Sequence, residues 1–165
     1  TPLPRPAQSP KFKLHQSDTG MLMARYPQPT AQAAYLDDSS PNLGAIYENV
    51  IAQELTAQGI PLYYYMAKKH GEVAFIADTN ADSVMPFEVK SGRSYRTHAA
   101  IDAVLANAEY RISQGVVLSR SNIAQDGGTT YLPLYATYCL RDVCNLASPS
   151  TVSTIGDFSL TVHPV

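Results

Sequence analysis

Two cysteines in 165 residues are too few to staple a small disulfide scaffold, and nine glycines without a fixed period exclude a collagen-like chain. Cys139 and Cys144 have four residues between them, not the two-residue gap of a zinc knuckle or redox pair. The four histidines are scattered and suggest no zinc site. No heptad run persists, and no apolar run approaches the ~18 residues of a membrane span. No charged segment followed by an apolar stretch marks a signal peptide. No glycine-rich phosphate loop of the Walker type is present, so the chain is not expected to hydrolyse ATP itself. Charged residues make up 16% and sum to −2, which argues mildly against nucleic acid as a partner. What is there, 45% hydrophobic residues over this length, suits one domain burying roughly 70% of its unfolded surface. Cysteine usage fits a reducing compartment, and the expected location is cytoplasmic. The chain starts at Thr1 inside TPLPRP, which is expected of a piece of something longer, with residues 1–10 an extended linker from an upstream region.

Along the chain, residues 11–14 (KFKL) alternate as a short strand does. Ser17 or Asp18 then caps a short helix with Met21, Leu22 and Tyr26 on one face, which Pro27 and Pro29 end. Residues 30–42 are polar and turn-prone. The clearest helix follows: Leu43, Ile46, Tyr47, Val50, Ile51 and Leu55 keep the three-and-four spacing of a buried face. Ser40 is its expected cap, Pro41 its first position and Gly59 its stop. Strands are expected at 62–68, 72–78 and 83–90, joined by hairpin-like KKHG and TNAD. A helix over about 97–109, capped by Thr97, leads to a buried strand at 115–120. TTYLPLYATYCL begins as a strand and turns helical after Pro133. Hairpin-linked strands cannot all be parallel, and the helix at 97–109 can supply one crossover, so a mixed sheet flanked by two helices is expected. The domain is expected over 11–142, with a tail at 143–165 that has room for an edge strand.

The sharpest chemical feature is Glu88-Val89-Lys90 at the end of the third strand. Alternation puts Glu88 and Lys90 on one face, about 7 Å apart along the strand. A carboxylate beside an ammonium can hold a divalent cation and orient a water next to a phosphodiester. The spacing recurs by chance, and a surface ion pair is the plain alternative. A helical wheel places Glu54 near the middle of the apolar face and Glu48 toward its edge. Glu54 either points into a site near Lys90 or pairs with a donor. Lys68, Lys69, Lys90, Arg93 and Arg96, five of the twelve basic residues, flank the same strand, with His70 and His98 nearby. They could contact phosphates or form solvated loops. Tyr63, Tyr64 and Tyr65 could stack bases or pack in the core.

The order helix, three strands with Glu-x-Lys on the third, helix, strand resembles the PD-(D/E)XK nuclease superfamily, the restriction-endonuclease-like fold. Gly44-Ala-Ile-Tyr-Glu48, then Glu54-Leu55 and Gly59, is similar to the first helix of archaeal Holliday-junction resolvases, whose glutamate matches Glu48. A closer resemblance is to uncharacterised domains at the C-terminus of prokaryotic AAA+ ATPases. Asp18-Thr19-Gly20-Met21-Leu22, Tyr47-Glu48-Asn49-Val50, Glu72-Val73-Ala74-Phe75, Phe87-Glu88-Val89-Lys90-Ser91 and Gly115-Val-Val-Leu-Ser119 match that family's motifs in order, from about Lys11 to Leu140.

The resemblance implies an α-β-β-β-α-β core with Glu88, Lys90 and Glu48 as catalytic positions. It also implies an ATPase domain N-terminal in the same parent chain, where ATP would bind. One position departs: Ala74 stands where the family has a metal-ligating aspartate. Alanine offers no oxygen, and Mg²⁺ held by few carboxylates loses much with one. The leading expectation is therefore a degenerate, non-catalytic module that binds DNA or a protein partner, with no membrane and no cofactor assured. Arg93, Arg96, Lys68 and Lys69 would be its nucleic-acid contacts. The alternative is an active phosphodiesterase with Glu88, Glu72 and Glu48 on Mg²⁺ or Mn²⁺ and Lys90 beside the attacking water. A purely structural oligomerisation domain is a third possibility.

Overall fold

A computed structural model describes residues 13–36, 38, 41–67, 71–79, 83–92, 94–146 and 162–164. Lys68, Lys69 and Arg93, and the expected linker at 1–10, lie outside the described residues. The sheet grows from the strands whose sequence is almost continuously apolar. β2 (Gly71–Asp78), β3 (Val84–Lys90) and β4 (Gly115–Ser119) are buried over most of their length, as strands covered on both faces must be. β1 (Tyr63–Ala67) and β3 flank β2 antiparallel. α4 (Ala99–Ala106) then carries the chain across, and β4 lies parallel to β3. β6 (Thr129–Pro133) continues the parallel ladder beyond β4 and pairs antiparallel with β5 (Ala124–Asp126). At the other edge β7 (Val162–Pro164) pairs with β1. The result is a mixed sheet in the order β5-β6-β4-β3-β2-β1-β7, six of its strands lying between Tyr63 and Pro133.

Helices cover both faces. On one, Ile51, Ala52 and Leu55 of α3 (Gly44–Ala57) pack with Phe75, Phe87, Val116 and Leu118. A 3₁₀ helix (Leu134–Cys139) and α5 (Leu140–Val143) close that side with Ala136 and Leu140, and Cys144 and Leu146 join the same core. On the other face Ile101 and Val104 of α4 pack with Val73, Ile76, Val117 and Tyr131. The order from α3 through β4 is α-β-β-β-α-β. No helix among the described residues is long and apolar enough to cross a membrane.

Several local expectations need correction. Residues 13–16 form no strand; they run as an irregular strap across α3. Asp18 does cap α1 (Thr19–Met23), accepting from the Met21 amide. Pro27 and Pro29 do not merely end it: Pro27 is the N-cap residue of α2 (Gln28–Tyr35) and Pro29 sits in its first turn, where a missing N–H costs nothing. Residues 30–35 are thus helical. α3 begins at Gly44, and its first amide bonds Asn42 Oδ1 at 3.1 Å. Residue 98, not Thr97, stands at the N-cap of α4. On α3, Val50 is exposed while Asn49 is buried, a one-position turn of the face that the apolar spacing alone did not reveal.

Candidate functional site

The site forms where β2 and β3 part. Between Tyr63 and Tyr65 of β1 the register on β2 slips by one, so Ala74 and Phe75 together face Tyr64. Such a bulge turns both side chains toward one side of the sheet. Ala74 and Phe75 accordingly sit in the α3-side core, whereas Val73 and Ile76 lie in the α4-side core. Pairing of β2 with β3 stops at Phe75 opposite Phe87, immediately before Ala74 and Glu88.

Three charged groups meet above Phe75. The Lys13 ammonium donates to Glu48 Oε2 of α3 at 2.8 Å, pairs with Glu72 Oε1 of β2, and stands 5.6 Å from the Phe75 ring centroid. Burial by itself would lower the Lys13 pKa. The hydrogen bonds and charges of Glu48 and Glu72 outweigh it, and the ammonium is held above the ordinary lysine value. His15 packs its ring 5.5 Å from Phe75 with Nε2 buried and unpaired, and burial, then the Lys13 charge, lowers its pKa.

Glu88 and Lys90 make a separate pair, Nζ to Oε1 at 2.9 Å. They alternate with Phe87 and Val89, which face the α3-side core. Burial raises the Glu88 pKa against the hydrogen bond and charge of Lys90. Glu48 and Lys13 act on Glu88 through their charges, Glu48 raising its pKa and Lys13 lowering it. Glu88 Oε2 is buried without a partner. Glu54 is half-buried and belongs to neither pair.

A metal does not fit these residues. Ala74 is 4% exposed in the apolar core and offers no oxygen. Glu48 and Glu72 already share an ammonium. Among the described residues no three His, Cys, Asp or Glu side chains are grouped to hold an ion. The orphaned Glu88 oxygen is one acceptor, short of the near-octahedral oxygen set that Mg²⁺ demands.

Lys13 and its support were missed in the sequence. Its strap is clamped by Asn49, 3% exposed, which accepts from the Gln16 amide at 2.7 Å and donates to Gln16 O at 3.0 Å and Thr19 Oγ1 at 2.9 Å. Gln53, one turn on, accepts from Thr19 N and Oγ1 at 2.9 and 3.0 Å. The motifs Asp18-Thr19-Gly20 and Tyr47-Glu48-Asn49 are therefore the two sides of one clamp. The signal was the pair of glutamates facing an alanine: such a cluster needs a cation from elsewhere in the chain.

Of the basic residues expected to meet nucleic acid, Arg96 is described. It is exposed, lies over the rings of Tyr95 and Tyr131 at 5.7 and 5.4 Å, and stands 3.8 Å from Asp126. Beneath it His98 Nε2 shares a 2.7 Å hydrogen bond with Tyr131 OH. His98 Nδ1 is 2.8 Å from Asp102 Oδ1 but is not aligned for a hydrogen bond, so proximity is all that contact establishes. Tyr64 is buried; Tyr65 spends its hydroxyl on Tyr110 at 3.1 Å, and Tyr63 packs against the α4-side core. All three tyrosines thus contribute to packing.

Fold and site together define a mixed α/β domain with an internally paired charge cluster where two strands separate. The chain belongs to the family described as a domain of unknown function (DUF4143), which matches residues 43–137, more than half of its length. No curated protein and no solved structure matches it.

Proposed function

We propose that this chain is a restriction-endonuclease-like domain that no longer cleaves and instead binds nucleic acid through phosphate contacts, beside an ATPase partner in the cytoplasm. The observation that carries this reading is the pairing of Lys13 with Glu48 and Glu72 next to Ala74, where a phosphodiesterase would keep its carboxylates free for metal. The α-β-β-β-α-β order, with Glu88-x-Lys90 ending the third strand, supports the fold side of the reading. Arg96, exposed and stacked on two aromatic rings, supports the binding side, because guanidinium recognises phosphate well. The ATPase partner comes from the family resemblance. Lys68, Lys69 and Arg93 would add positive charge.

The test is a nuclease assay with Mg²⁺ and Mn²⁺ beside an anisotropy titration with DNA at ~50 mM salt. The expected outcome is no cleavage above background, and binding that falls with salt and weakens in the Arg93→Ala/Arg96→Ala double variant. Mg²⁺-dependent cleavage abolished by Lys90→Ala would overturn the reading in favour of an active enzyme using Glu48, Glu72, Glu88 and Lys90. Absence of binding at low salt would turn the module toward a protein partner.

A further inference from the structure

We propose that Lys13 is the resident cation of the Glu48–Glu72 cluster and that its strap keeps divalent ions out. The inference rests on reading Glu48, Glu72 and Glu88 as a former metal centre. It goes further by assigning the missing positive charge to a residue of the chain itself.

The geometry is that of a cation site already filled. One ammonium stands between two carboxylates from different elements, α3 and β2, with the Phe75 ring on a further side. The ammonium takes one oxygen of each carboxylate, Glu48 Oε2 and Glu72 Oε1, and sets a positive charge where a divalent ion would have to stand between them. Displacing Lys13 would leave Glu48 and Glu72, two carboxylates from α3 and β2, with no cation between them.

The strap that delivers Lys13 is held by polar clamps rather than by deep packing. Leu14 is 84% exposed, and grooves of about 700 and 460 Å³ flank the strap, both lined by Lys13, Leu14, His15 and Gln16. Its fixed points are the Asn49 and Gln53 hydrogen bonds to Gln16 and Thr19. This arrangement predicts a plug that a few side-chain changes can loosen while the sheet stays intact.

Mn²⁺ titration of the full 165-residue chain, followed by the electron paramagnetic signal of the free ion and without nucleic acid, tests this directly. The unsubstituted chain is expected to leave Mn²⁺ free up to about 1 mM. Lys13→Met is expected to bind one ion at least about tenfold more tightly, and adding Glu48→Gln to abolish the gain. Lys13→Arg keeps the charge and is expected to keep the ion out. Asn49→Ala alters no charged group and is expected to admit Mn²⁺ more weakly than Lys13→Met. If Lys13→Met melts low, Mn²⁺ is expected to restore its melting temperature. Glu48-dependent Mn²⁺ binding by the unsubstituted chain overturns the proposal, as does a Lys13→Met chain that neither binds Mn²⁺ nor is stabilised by it. Nucleic acid does not enter the readout, so loss of the DNA-binding reading and loss of this one are separate results.

Discussion

Asp78 ends β2 with a half-buried carboxyl, and burial pushes its pKa up to about 6 from an ordinary 3.8. A folded-state pKa above the unfolded value favours the fold while the group is protonated. Its contribution is complete below 3.8 and is lost as the pH rises through about 6. Asp78→Asn removes the ionisation. It is therefore expected to raise stability at pH 7 by about 1 kcal/mol, less than the whole shift because water still reaches the group. At pH 4 the gain should largely vanish. Denaturant melts at the two pH values check this, and an equal gain at both would mean that burial of the charge is not the cause. Ala74 illustrates the opposite case. Its methyl belongs to the apolar core, so an aspartate there would be a buried, unpaired carboxylate before it could be a ligand.

At the scale of elements, Asn49 ties α3 to α1. Neither α1 nor α2 buries a residue, so α1 gains little from hydrophobic packing and depends on the clamp. Asn49→Ala leaves Gln16 and Thr19 without three hydrogen bonds, with an expected cost of about 2 kcal/mol. Hydrogen exchange should quicken across residues 16–23 and stay unchanged in β4; unaltered exchange at Thr19 and Met21 would show that the clamp does not hold the strap. This element also marks where sequence reasoning stopped. The central strands were legible because EVAFIAD, PFEV and GVVLS are too apolar to lie anywhere but inside. The crossover followed because a helix separated two of them. Asn49 was not legible, since a polar residue inside a helical face looks like a defect until its partners, 30 and 33 positions away, are seen. Pro27 was ambiguous for a related reason: proline both follows and opens helices, and the sequence did not say which. The bulge at Ala74 left no mark in the alternation, because the residues on both sides of it are buried. Glu88 and Lys90 were found by strand spacing alone, whereas Lys13 needed the tertiary fold.

Across the whole molecule, burial is uneven, and stability should be uneven with it. β2, β3 and β4 are central or next to central, and their side chains supply both cores. Leu118 has no exposed surface and lies in the α3-side core. Leu118→Ala leaves a cavity between α3 and the sheet, at an expected cost of about 3 kcal/mol. That cost should appear in every probe of global unfolding, because both faces share the same strands. α2 stands at the other extreme: Tyr35 and Leu36 at its end are 90% and 65% exposed. Its amides need no global event to open, since breaking them uncovers little apolar surface. In the unsubstituted chain, amides of Gln28–Tyr35 should exchange through local fluctuations that are insensitive to low denaturant. Amides of Gly115–Ser119 should exchange only with the full denaturant dependence of unfolding. Leu118→Ala should then accelerate exchange in β4 by roughly the factor that 3 kcal/mol implies, about a hundredfold, and leave α2 where it was. If α2 accelerated in step with β4, α2 would open only with the whole fold, and stability would not divide between sheet and periphery as the burial implies.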